Sequence, residues 1–140
     1  MPSFLTDAPQ EVLFDWLKRR VQIPWTTNFW SFGLVADGAL RLVVGYERDN
    51  GASCWMHVAI DHPRYVTRQA VRFAFRYPFE IRGLNVVFAM VPSCNSRALA
   101  LNSRLGFETV LEAPDADPRG ALVIMQMRRE QCRWISKGAR

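Results

Sequence analysis

Few side chains in this 140-residue sequence can move a proton or attack a carbonyl. His57 lies inside the apolar run "ASCWMHVAI", Asp61 and His62 stand at its exit, and Glu47 closes the preceding run "ALRLVVGYE". An imidazole or carboxylate at a strand exit can take a proton from an incoming nucleophile if its pKa lies near the working pH. Each also has a plainer reading: a satisfied strand histidine, cap chemistry for Asp61 and His62, a surface carboxylate for Glu47. His57 has the opposite parity to Cys54 and Met56, so it faces the other side of its strand unless a bulge intervenes. Cys94, beside Asn95, has no sequence-evident histidine partner and reads as structural. The three cysteines are widely spaced and form no Cys-x-x-Cys, and there are only two histidines. That argues against a disulfide framework and a transition-metal site, so no metal is expected.

The elements that must position these groups follow from pattern. "TDAPQEVLFDWLKRR" reads as a first helix, capped by Asp7, with Val12, Leu13, Trp16 and Leu17 on one face and Pro24 ending the pattern. "FWSFGLV", "ALRLVVGYE" and "ASCWMHVAI" read as three antiparallel strands joined by the hairpin signals Asp37-Gly38 and "RDNGA". "HPRYVTRQAVRFAFRYPFEIRG" reads as one long helix, kinked or ended by Pro78, with Arg64, Arg68, Arg72 and Arg76 recurring every four residues. "LNVVFAMV" is a buried strand, "NSRALALNSRLGF" a short helix capped by Asn95 and stopped at Gly106. "FETVLEA" and "ALVIMQMRR" form a closing pair around the loop "PDADPRG". The order is α, three β, α, β, α, β, β: a mixed α/β fold with a mostly antiparallel sheet and one crossover that makes the strand ending at Ile60 and the next strand parallel neighbours.

Bulk composition sets the frame. One domain spanning residues 1–140 is expected, and 49% hydrophobic residues suffice for a full core. The net charge of +5 suits a polyanionic ligand such as a phosphorylated cofactor. Arginines are spread along the chain and no nucleic-acid motif is present, so nucleic acid is set aside as a partner. Apolar runs fall short of a membrane span and no secretory signal is evident, so a cytoplasmic protein is expected, as monomer or homodimer.

The second half of the chain resembles the GNAT superfamily of acyl-CoA N-acyltransferases. The likeness is carried by Asn95 at the end of a central strand, Ala98 three residues on, a helix closing on Leu105-Gly106-Phe107, the following "ETVLEA", and Gly83 twelve residues before Asn95. The C-terminal "VIMQMRREQCRWI" is similar to short phage-encoded GNAT-like proteins. The resemblance implies splayed parallel central strands, a sheet that is otherwise antiparallel, and acetyl-CoA as cofactor. It places pantetheine along Val58, Ala59 and Ile60. It places the pyrophosphate on the N–H groups of Tyr65, Val66, Thr67 and Arg68, with Asn95 ordering the strand exit. The family's loop carries glycines, whereas "PRYVTR" has none. The family's Glu and Tyr positions hold Cys54, Met56, Ala89 and Asn102. Hence the catalytic candidates are His57, Asp61 and Asn102, the last as a donor to the leaving sulfur.

Two activities follow from the resemblance. One is an acetyl-CoA-dependent N-acetyltransferase acting on an amine of a protein or small molecule. The alternative is a catalytically degenerate GNAT-fold protein that binds a partner protein, with Trp25, Trp30 and Trp134 as candidate exposed anchors.

Overall fold

The computed structural model describes residues 3–21 and 29–136. Pro24 and Trp25 lie outside the described residues. A short strand that the sequence did not announce, β1 (Phe4–Thr6), precedes α1 (Gln10–Lys18). Then come β2 (Trp30–Ala36), β3 (Ala39–Glu47) and β4 (Ser53–Ile60), α2 (Arg68–Arg76), β5 (Val86–Pro92), α3 (Ser96–Leu105), β6 (Glu108–Asp117) and β7 (Gly120–Arg128). The sheet order is β1-β2-β3-β4-β5-β7-β6. Every neighbouring pair is antiparallel except β4–β5, as the crossover predicts. Among the described residues no helix is long and apolar enough to cross a membrane.

Each face of the sheet has its own cover. Phe32, Leu34, Tyr46, Cys54, Val87, Met125 and Met127 point to one side and form the main core with Phe75 and Phe79 of the crossover segment. Val43 and Ala59 point to the other side, under Leu13 and Leu17 of α1. Gly45 permits that approach: a Cβ there would fall 2.6 Å from Leu17 Cδ2 and still nearer the Phe29 ring. Asp7 does not cap α1, because Pro9 stands at the cap position with no side-chain bond. Gln10 instead anchors the helix to β2. Its Oε1 accepts from Ser31 N at 2.9 Å and its Nε2 donates to Ser31 O at 2.6 Å.

The long helix expected over His62–Gly83 is broken into three. Pro63–Tyr65 is a 3₁₀ turn, α2 begins only at Arg68, and Tyr77–Ile81 is a wider turn. Thr67 resets the start, its Oγ1 accepting from Ala70 N at 3.2 Å. Pro78 sets the end. It has no N–H to offer the carbonyl of Ala74, four residues back. Tyr46 Oη, fully buried, donates to that carbonyl at 2.6 Å, and Arg82 N donates five residues back to Tyr77 O.

The closing hairpin is longer than the pattern suggested. β6 runs through "PDAD" to Asp117, which pairs with Gly120 across a tight turn. Trp30 and Trp134 are packed rather than free. Trp30 stacks on Tyr77 at 3.9 Å, and Trp134 Nε1 donates to Leu105 O at 2.8 Å.

Candidate functional site

The site begins where two strands part. β4 and β5 pair only over Ser53–Trp55 with Val86–Phe88. Beyond Trp55, β4 stays bonded to β3, and beyond Phe88, β5 stays bonded to β7, but not to each other. Backbone groups of Met56–Ile60 that point into this gap therefore have no strand partner among the described residues. Unpaired strand backbone is a template for an extended ligand that carries amides of its own. Val58, Ala59 and Ile60 form its outer stretch.

The N-terminus of α2 closes the outer end. The N–H groups of Tyr65, Val66 and Thr67, expected to face an anion, are committed within the turn to His62 O, Pro63 O and Tyr65 O at 2.8–3.0 Å. His62 Nδ1 accepts from Arg64 N. A glycine-free "PRYVTR" folds back on itself, spending its donors locally. The N–H groups of Arg68 and Gln69, in the first turn of α2, have no partner among the described residues. They carry the helix's positive end. The guanidinium of exposed Arg68 has no ion-pair partner among the described residues either, whereas Arg64 is held by the Tyr65 hydroxyl at 2.9 Å.

Asn95 begins α3 across the gap. Its Oδ1 accepts from Ala98 N at 3.1 Å, the cap expected from sequence. The other end closes as expected too: Gly106, at φ 115°, donates to Ser103 O, and Phe107 N reaches Asn102 O at 2.9 Å. Asn102 points under the sheet, its Nδ2 against Met125 Sδ at 3.8 Å. Asp61 lies between two guanidinium groups, Arg20 and Arg41, each at 3.7 Å. Cys94 is exposed.

The structure also joins two groups that the sequence left apart. β4 has no bulge, so His57 faces the α1 side, opposite Cys54 and Met56, as its parity predicts. There it meets Glu47, which is not a surface carboxylate but only 4% exposed. His57 Nε2 lies 3.5 Å from Glu47 Oε1, which also lies 3.5 Å from Arg48 Nε. That approach is ion-pair range but too long for a good hydrogen bond, and His57 Nε2 and Glu47 Oε2 are buried with no hydrogen-bond partner. Burial holds the His57 pKa below its ordinary value, against the opposing pull of Glu47. The signal in the sequence was the shared parity of Glu47 and His57 across one hairpin; their pairing needed its register, which sets Glu47 opposite Trp55.

A separate cavity of about 290 Å³, lined by Trp30, Tyr46, Asp49, Cys54, Tyr77 and Arg82, lies on the α2 face beside the start of β4. Three of its polar side chains are engaged: Arg82 Nε is 2.6 Å from Asp49 Oδ2, and Tyr46 Oη donates to Ala74 O. Burial pushes the Cys54 thiol up to about 12, which leaves it a poor nucleophile. Among the described residues no group of three or more His, Cys, Asp or Glu side chains is placed to hold a metal.

No protein-family model and no curated protein matches this sequence. Solved structures do match it. A probable acetyltransferase is 21% identical with a TM-score of 0.66, covering 74% of this chain; the match spans 63% of that protein. A variant of the spermidine N-acetyltransferase SpeG from Vibrio cholerae is 15% identical with a TM-score of 0.75, covering 97% of this chain and 98% of its own. A mutant form of the spermidine/spermine N-acetyltransferase SpeG from the same organism gives 0.76 at 14% identity, over 92% and 96% of the two chains. This chain therefore has the mixed α/β fold of the GNAT N-acetyltransferases, with its parallel central strands splayed apart.

Proposed function

We propose that this protein is an N-acyltransferase that uses acetyl-CoA to acetylate an amine on a small molecule or a protein. The observation that carries the reading is the end of β4–β5 pairing after three residue pairs, which opens a strand edge beside the free start of α2. The cofactor fits that geometry. Backbone groups of Val58 and Ile60 would hold the pantetheine arm as a substitute strand, while those of Ala59 between them face β3. The N–H groups of Arg68 and Gln69, with the Arg68 guanidinium, would hold the pyrophosphate. Tyr65, Val66 and Thr67 shape that turn, and Asn95 orders the opposite wall. When bound, the cofactor supplies an acetyl thioester, which a neutral amine opens with release of the thiol.

The chain's own task is to make the amine neutral at the gap. His57, kept uncharged by burial, takes the proton at Nδ1, directly or through one water, and Glu47, 3.5 Å from the other ring nitrogen Nε2, steadies the imidazolium that results. Asp61 is a weaker base candidate, because two arginines already engage its carboxylate. Asn102 would have to leave Met125 to reach a leaving sulfur.

A second reading, a GNAT-fold protein that binds a partner without catalysis, draws support from the three N–H groups spent inside "PRYVTR". Calorimetric titration with acetyl-CoA at low and moderate salt separates the two. Binding that weakens with salt and drops about tenfold in Arg68→Glu, together with acetylation of an amine, supports the enzyme. No heat of binding at millimolar acetyl-CoA rules it out. Binding without turnover over an amine panel favours the second reading.

A further inference from the structure

On the α1 side the sheet is only half covered. α1 packs on β2, β3 and the outer part of β4, over Gly33, Val43, Gly45 and Ala59. The register continues the same face past α1: Trp55 lies beside Phe88, Met90 beside Ile124, Ile124 beside Leu111, and Leu122 one pair further on. No described element packs on this half. Met90 is 44% and Leu111 57% exposed, and Trp55, Phe88, Ile124 and Leu122 are half-buried. Trp55 and Phe88 form its floor, their rings stacked at 5.0 Å.

This apolar half-face ends at the site. The Trp55–Phe88 pair is the last before β4 and β5 part, and Trp55 stands directly across from Glu47 and two residues before His57 on the same face. A molecule that brings a nitrogen to His57 from this side must lie over those rings.

We infer that this half-face seats the acceptor, and that the acceptor is a primary amine carried on an apolar body the size of an aromatic ring. The inference rests on the acyl-transfer reading above. Charge argues for it and against a polyamine. Repeated ammonium groups need repeated carboxylates, and beside the rings this face offers one, Glu47, buried and 3.5 Å from both His57 Nε2 and Arg48 Nε; the acid in the Phe88–Gln126 row, Glu108, accepts from Gln131 Nε2 at 2.8 Å. Arg128, the next position on this face, is a cation whose Nε lies 3.3 Å from Glu130 Oε2, and the chain carries +5 overall. Stacked rings and a methionine suit an apolar or aromatic guest, by area burial and by ring and sulfur contacts.

The test is calorimetric titration of the full chain with 2-phenylethylamine and with spermidine, with and without acetyl-CoA, followed by acetylation assays of both amines. Phenylethylamine should bind at least about tenfold more tightly than spermidine and be the better substrate. Met90→Glu and Leu111→Glu, both at exposed positions, should each weaken its binding about tenfold and leave the melting temperature unchanged. The inference is overturned if spermidine is preferred, if neither amine binds at millimolar concentration, or if both substitutions leave phenylethylamine binding intact. It is also overturned if sedimentation shows a dimer that Met90→Glu splits, since a second copy then covers the face. Phenylethylamine binding by a chain that fails to bind acetyl-CoA upholds the seat and defeats only the transfer reading.

Discussion

The two ends of β4 are built to opposite purposes. At its start, Ser53–Trp55 pair with β5 and Trp55 pairs with β3 as well, and the α2 face beside them is filled by Trp30, Tyr46 and Tyr77, whose ring centroids lie within 6.0 Å of one another. Its ion pair and its buried phenol have partners there: Asp49 has Arg82, and Tyr46 has the carbonyl that Pro78 leaves free. At its end, one edge is unpaired, and the nearby α2 start keeps two free N–H groups. On the opposite face His57 and Glu47 are buried with polar atoms unspent. An unpaired buried polar atom costs on the order of 1–3 kcal/mol. The closed end is the part of the molecule that offsets such costs, so removing groups from the two ends should have opposite signatures, in stability and in activity.

The largest effect should come from the closed end. Phe79 is fully buried and stacks on Phe75. Phe79→Ala should remove about 3–5 kcal/mol of stability, read as a fall in denaturant midpoint. A fall no larger than that of a surface substitution would mean that this end does not carry the fold.

Next in size is the open end's chemistry. His57→Asn should lower kcat for acetyl transfer about a hundredfold near pH 7.5, with acetyl-CoA affinity unchanged by calorimetry. Unaltered kcat would remove His57 from the reaction and leave Asp61 as the base to test. Asn95→Ala should cost about 1 kcal/mol of stability through the lost cap, and should weaken acetyl-CoA binding as well. A stability loss without any change in binding would place the cofactor away from the β5 exit.

The smallest effect is on pH dependence. Burial lowers the His57 pKa in the folded state, so between that value and the ordinary 6.5 the unfolded chain binds the extra proton. Its contribution to stability is therefore complete above about pH 6.5 and is lost as pH falls below it, levelling off beneath the folded pKa. Melting temperatures of the wild type and His57→Asn should converge on acidification from pH 7.5 to 5.5. Parallel curves would show that His57 has the same proton affinity in both states.

Much of this contrast was legible in the sequence, and particular residues show where legibility stopped. Asp37-Gly38 announced its hairpin because both positions need positive φ, and they have it, at 52° and 80°. Asn95 and Gly106 announced both ends of α3, because capping is chemistry between residues a few positions apart. The glycine-free "PRYVTR" announced an unusual turn, but not that Tyr65, Val66 and Thr67 would spend their N–H groups inside it, which depends on backbone angles no residue type fixes. Trp30 looked like a free anchor because exposure is a property of neighbours; Tyr77, 47 residues on, takes its face.

By itself, the sequence determined the order of the main strands and helices from α1 onward, the single parallel crossover, both ends of α3, the Asp37-Gly38 turn, and which face of β4 His57 would occupy. These are local or periodic properties, set by backbone sterics and side-chain alternation. Only the tertiary structure decided that β4 and β5 part after three pairs, that Glu47 is buried against His57, and that α1 stops short of the Trp55–Phe88 half of the sheet. Each of those depends on long-range register and on the reach of one element over another. Those are set by the packing of the whole sheet and its two covers, and no short stretch of chain encodes them.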